Sequence, residues 1–134
     1  TADILSGGLE VSAQRGFRLA SGASGKIEQM SILRTIKKGE KIENIIAEAK
    51  ELTFRSGKEV ALVKLSSSER ALVSGGRGGI EFTEGQVTRI FGHTHPYHLP
   101  PTGPSAEDFE MLKELGRRSS YLLEHGELVK FTRY

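Results

Sequence analysis

The sequence predicts an α+β domain, a mixed β-sheet flanked by helices and finished by a C-terminal β-hairpin. Two stretches carry apolar residues at three- and four-residue spacing, Ile42, Ile45, Ile46, Ala49 and Leu52 in the first and Phe109, Leu112 and Leu115 in the second. Between and after them lie short runs of β-forming residues separated by Gly and Ser turns. The resulting order of helix, strands, helix and hairpin suits helices packed on a largely antiparallel or mixed sheet.

Residues 1–40 read as an N-terminal arm or as additional strands, with part of the arm serving as a linker if the chain derives from a longer protein. Gly7, Gly8, Gly16 and the Gly/Ser-rich segment 21–25 punctuate it, and the chain opens at Thr1 without an initiator methionine, as a fragment or processed product would. Residues 27–36 fit a strand or a short helix equally well. The main domain is expected over 41–134. Its first helix, 41–54, sets Lys41, Glu43, Glu48 and Lys50 against the apolar face, and Ser56-Gly57 closes it. Residues 60–65 and 70–73 read as a hairpin turned by Ser66, Ser67 and Ser68. The segment 74–79, with four glycines, reads as a flexible loop; it has no Gly-Lys-Ser/Thr ending and no following helix, so it is no phosphate-binding loop. Strands are expected at 80–82 and 87–91. Ser105 caps the second helix, Gly116 stops it, and 121–123 with 128–131 form the final hairpin around Glu124-His125-Gly126.

A chain of 134 residues is expected to fold as one domain with a substantial core. No apolar run approaches the ~18 residues of a membrane span, and the N-terminus lacks the pattern of a signal peptide. A cytoplasmic protein fits, as does a domain delivered into a target cell. The net charge of +2 is mild, and no arginine and aromatic cluster points to nucleic acid. Cysteine is absent. That excludes disulfides, a cysteine nucleophile and thiolate zinc sites such as those of zinc deaminases, so any metal must be held by nitrogen and oxygen.

The chemistry concentrates in 92–108. Gly92-His93-Thr94-His95-Pro96 is followed by Ser105-Ala106-Glu107-Asp108, which places three of the four histidines and one of two aspartates within this segment. Residues i and i+2 of an extended backbone face the same way, so His93 and His95 can aim at one point. Asp108 falls in the first turn of the helix capped by Ser105, near the positive end of its dipole. Two imidazoles and a carboxylate can supply three ligands to a divalent metal and leave one position open, the composition of a catalytic zinc site. Taken singly, Ser105 and Asp108 also fit an ordinary helix cap; His98 fits an exposed loop position better than a substitute ligand or substrate contact, Tyr97 fits a substrate groove or packing on the loop equally, and His125 fits a turn.

His-Thr-His-Pro followed by Ser-Ala-Glu-Asp resembles the metal signature of the JAMM metallopeptidases, the JAB/MPN family. The resemblance covers about 41–134. It implies a JAB/MPN-like fold, Zn2+ bound by His93, His95 and Asp108, support of the tetrahedral intermediate by Ser105, and an upstream glutamate that handles the proton of the attacking water. In that family the glutamate follows the first long helix and opens an apolar strand; Glu59 does so here, whereas Glu69 lies in a turn and Glu81 within a weak strand. The implied activity is cleavage of a peptide or isopeptide bond in a protein or peptide substrate. Nine residues separate His95 from Ser105, where the family pattern has seven, which lengthens the loop beside the metal. The compact C-terminal half is also similar to JAB domains of bacterial polymorphic toxins of the Rhs and contact-dependent inhibition type, which implies an immunity protein as partner. Other readings are a non-catalytic JAB/MPN binding module and a metal-dependent toxin with a non-peptide target such as nucleic acid. Gly-His-Thr-His also resembles the last motif of calcineurin-like metallophosphoesterases, but the earlier Asp and Asn-His ligand motifs are missing, since only Asp3 and Asn44 precede residue 93.

Overall fold

The computed structural model describes residues 16–20, 25–96, 103–124 and 126–133. Nine strands form two sheets with two helices among these residues: β1 (Gly16–Ala20), β2 (Ile27–Gln29), β3 (Ser31–Thr35), α1 (Ile42–Ser56), β4 (Val60–Leu65), β5 (Arg70–Ser74), β6 (Gly79–Thr83), β7 (Val87–Thr94), α2 (Ala106–Glu114), β8 (Ser119–Glu124) and β9 (Glu127–Thr132). The larger sheet has the order β3-β5-β4-β7-β8-β9 and the smaller one β1-β6-β2. Both are mixed, because β7–β8 and β2–β6 are parallel pairs. The expected α and β layering and the C-terminal hairpin are present.

The larger sheet buries both faces. On one side α1 lays Ile45 against Val60, Leu62 and Leu72, with Ala49, Leu52 and Phe91 around them. On the other, Ala61, Val63, Ala71, Val73 and Ile90 pack against Leu19, Ile80 and Phe82 of the smaller sheet and Met111 of α2. Alternation along β4 assigns Val60 and Leu62 to the first core and Ala61 and Val63 to the second. Such doubly covered strands lose their polar alternation, which is why residues 60–63 read as one apolar run.

Local chemistry explains the element ends. Gly57 terminates α1 in the left-handed region (φ 71°), its N–H donating to Thr53 O at 2.8 Å. Residues 27–36 resolve into two strands in different sheets, with the chain crossing between them at Met30, whose N–H donates to Glu81 O at 2.9 Å. On the exposed side, Arg34 pairs with Glu40 and Glu48, both at 2.7 Å. The hydrogen bonds from Arg34, helped by the Lys37 N–H, bring the Glu40 carboxyl down to about 2.

The glycine-rich segment departs from expectation. It is no flexible loop: Gly75, Gly76, Gly78 and Gly79 are buried where the two sheets meet. A Cβ on Gly76 would stand 2.2 Å from Lys26 O, and one on Gly79 would stand 2.1 Å from Leu19 O. Glycine serves here because backbone meets backbone, a requirement that composition alone does not separate from mobility. Gly76→Ala should therefore lower the unfolding free energy by about 1–3 kcal/mol. Urea denaturation checks this, and an unchanged midpoint would mean that the segment yields freely.

Candidate metal centre

Strand β7 carries the site, and its irregularity aims it. Pairing with β4 runs Val63↔Ile90 and then Leu62↔Gly92, so Phe91 is an extra residue in β7. Ile90 faces the smaller sheet with Val63. Without the bulge, residues 92 and 94 would take that face and both histidines would point toward α1. With it, Phe91 joins the α1 core, and His93, paired with Ala61, faces the interior beside α2. Strand β7 also runs to Thr94, past the expected end at residue 91, so His93 lies within the sheet and not in a frayed end.

Thr94 between the histidines faces the other way and fastens the strand. Its hydroxyl accepts the Val60 N–H at 2.9 Å and hydrogen-bonds the Thr53 hydroxyl of α1. On the far side, His95 N–H donates to Leu123 O of β8 at 3.2 Å. The His93 ring stands edge-on to Phe131 of β9, with centroids 6.1 Å apart.

Asp108 arrives from α2 by a reciprocal cap. Ser105 Oγ accepts the Asp108 N–H at 3.1 Å, and Asp108 Oδ2 accepts the Ser105 N–H at 2.9 Å. Asp108 Oδ1 accepts the Ala20 N–H of β1 at 3.1 Å. Oδ2 also lies 3.1 Å from His93 Nε2 and 3.3 Å from His95 Nε2, and all three side chains are fully buried. One ligand atom from each falls within 4.8 Å of the others.

These residues fit a metal. Two ligands on a tetrahedral ion at about 2.0–2.2 Å stand roughly 3.3 Å apart, close to both contacts of Oδ2. His93 Nδ1 is buried with no hydrogen-bond partner among the described residues, while Nε2 lies beside Asp108 Oδ2 at 3.1 Å, the spacing of two ligands sharing an ion. A buried His93, His95 and Asp108 group could thus bind a metal ion.

His95 is held from behind by Glu124, at the end of β8. Glu124 Oε2 lies 2.9 Å from His95 Nδ1, while Oε1 accepts the Gly103 N–H at 3.0 Å. A carboxylate can only accept, so Nδ1 carries the proton and Nε2 is the ligating atom. The sequence predicts Glu124 in the hairpin turn, whereas it ends β8. Its signal was parity: two residues after Leu122, it continues the inward face of β8.

Glu59 immediately precedes β4 and is fully buried. Continuing the Ala61↔His93 register by two residues sets Glu59 opposite His95, on the face shared by Ala61 and His93. Its carboxylate is not one of the three clustered ligands. Glu81 instead faces Arg18 in the smaller sheet at 3.6 Å, and Glu69 sits in the exposed β4–β5 turn beside Ser67. Tyr97, His98 and His125 lie outside the described residues. A cavity of about 400 Å³ opens beside β7, lined by α1 with Phe91, Tyr121 and Leu128; of the site residues it touches His93 but not Glu59, His95 or Asp108.

No family model, curated protein or solved structure matches this chain. No helix among the described residues is long and apolar enough to cross a membrane.

Burial opposes charge on both partners, and their contacts override it. Asp108 is held well below the usual carboxylate range by the His93 ring and by hydrogen bonds from His95 and Ser105 N–H. His95 is pushed above its usual value by Asp108 and Glu124. In metal-free protein the raised His95 stabilises the fold fully below about pH 6.5 and loses that contribution as pH rises through its folded value. The lowered Asp108 contributes above about pH 4 and loses its share as pH falls further. Metal must displace the Nε2 proton, so its affinity runs the other way. The melting-temperature gap between chelator-treated wild type and His95→Gln should narrow from pH 6 to pH 9, while stabilisation by an added divalent metal should grow. A gap that widens with pH would contradict this.

Proposed function

We propose that the chain is a zinc-dependent hydrolase of the JAMM type, cleaving a peptide or isopeptide bond with an activated water. One observation carries the reading: a buried His93, His95 and Asp108 group at the end of β7 and the start of α2, with buried Glu59 two residues before Ala61, the partner of His93 in β4. Three protein ligands with a fourth position open are the pattern of catalytic rather than structural zinc, and nitrogen and oxygen donors suit that ion. When bound, zinc supplies Lewis acidity and lowers the pKa of water at the open position to about 7.

The remaining tasks fall to the chain's own groups. Glu59 accepts the proton of the attacking water at a carboxylate oxygen and passes it to the leaving nitrogen. A carboxylate walled in by sheet residues suits this role, because burial keeps bulk water from competing for the proton. Ser105 Oγ already accepts the Asp108 N–H, and its hydroxyl hydrogen is not used by that bond. That hydrogen is available to the substrate carbonyl oxygen as negative charge develops there. Asp108 holds its position through the Ser105 and Ala20 N–H groups, so both ligand geometry and the Ser105 hydroxyl depend on the helix cap.

Purified protein reloaded with zinc should hold one ion per chain and show chelator-sensitive cleavage of peptide or isopeptide substrates such as ubiquitin chains. Glu59→Gln should keep the zinc and lose about 10²–10⁴ in turnover. A chain that takes up no zinc, or a Glu59→Gln variant with wild-type turnover, would overturn the reading. Ser105→Ala should cost about 10²–10³ in rate and, through the lost cap, about 1 kcal/mol of stability. Ser105→Thr should recover both, and a Ser105→Ala variant with full activity would reduce Ser105 to a cap.

A further inference from the structure

Glu124 does two things with one carboxylate, and the pairing has a consequence for the metal site. One oxygen meets His95 Nδ1 at 2.9 Å and the other accepts the Gly103 N–H at 3.0 Å. Gly103 adopts φ 80° and lies two residues before Ser105, the residue that caps α2 and holds Asp108. The contacts form a ring: His95, Glu124, Gly103, then through Pro104 to Ser105, Asp108 and back to His95. Glu124 is therefore the point at which the β7 ligand and the segment leading into α2 are joined from behind. Its side chain is only 8% exposed, so neither bond faces strong competition from solvent.

We infer that Glu124 is a positioning residue for the metal centre, fixing His95 as an Nε2 ligand while setting the approach of Ser105 and Asp108. The inference rests on the metal-binding reading. It means that the end of β7 and the start of α2 are tied together by hydrogen bonds through Glu124. A carboxylate suits the position because both donors need an acceptor. A glutamine has a single acceptor oxygen, so it serves either His95 Nδ1–H or Gly103 N–H, and its NH2 group faces the remaining donor. If the amide oxygen goes to Gly103, its NH2 forces His95 toward the opposite tautomer, which cannot ligate through Nε2. Orienting carboxylates behind ligating histidines typically carry about 10–100-fold in metal affinity.

The test is zinc affinity by chelator competition on wild type, Glu124→Ala and Glu124→Gln. Circular dichroism and melting confirm that each is folded, and NMR of the metal-free proteins follows the His95 ring N–H and the Gly103 amide exchange. Glu124→Ala should weaken zinc by about 10–100-fold, lose the protected His95 Nδ1–H signal and speed Gly103 exchange. Glu124→Gln should lose only one of the two signals: loss of the Gly103 signal goes with zinc weakened toward the lower end of that range, and loss of the His95 signal with zinc weakened toward its upper end or beyond. A structural role alone would shift melting without moving zinc affinity relative to other destabilised variants. Ser120→Ala is the matched control, since it removes a buried β8 hydroxyl bonded to Ile90 O at 2.8 Å and should leave zinc affinity unchanged. A folded Glu124→Ala with zinc affinity within two-fold of wild type, or with both NMR signals intact, would overturn the inference. Wild type that binds no zinc would instead overturn the metal reading, and the NMR comparison would still decide whether Glu124 holds His95 and Gly103.

Discussion

The carboxylate of Asp108 is where the parts of this molecule meet. One oxygen accepts the Ala20 N–H of the smaller sheet, and the other accepts the Ser105 N–H at the start of α2 and faces both imidazoles of β7. A buried charge of this kind is tolerated only when its lone pairs are satisfied and an opposite charge lies near. The helix cap, the end of β1 and the histidines are therefore mutually dependent. Removing the carboxylate would leave the Ala20 and Ser105 donors without this acceptor, His93 without its counter-charge and His95 with Glu124 alone. The same arrangement that makes Asp108 costly to bury makes it a ready metal ligand, since it remains ionised and pointed at the histidines.

The second constraint is the phase of β7. Its partner β4 is covered on both faces over residues 60–63, so the β7 residues beside that stretch face either the α1 core or the core beneath α2. Phe91 shifts that commitment by one residue, which sends itself to the aliphatic side and both histidines to the side where Asp108 waits. Thr94 then secures the shifted strand to β4 and α1 through two hydroxyl bonds. A single extra residue thus converts what would be a purely apolar layer into a polar site within a well-packed interior. Ligands that are preset by a strand and a capped helix need little rearrangement to accept an ion.

The legible parts of the site were those set by short-range backbone geometry. His93 and His95 share a face because they are two apart in a strand, and Ser105 and Asp108 meet because they are three apart across a helix start. Both relations hold wherever the elements form. The ends of α1 and the final hairpin were readable for the same reason, through Gly57 and the residues flanking Gly126. The bulge at Phe91, the Ala20 donor and the Glu124 support depend on pairings across 27 to 88 residues, which no local pattern encodes. Glycine misled in the opposite way. At 75–79 the same composition serves mobility and close packing, and only the contacts of Gly76 and Gly79 reveal which.

The claim on which the rest depends is that one ion is held jointly by His93, His95 and Asp108. Anomalous diffraction at the zinc edge from crystals of the zinc-loaded protein tests it most directly. The account predicts a single strong peak about 2.0–2.2 Å from His93 Nε2, His95 Nε2 and Asp108 Oδ2. A zinc peak elsewhere, or one that engages the histidines but leaves Asp108 to its helix cap, would contradict it.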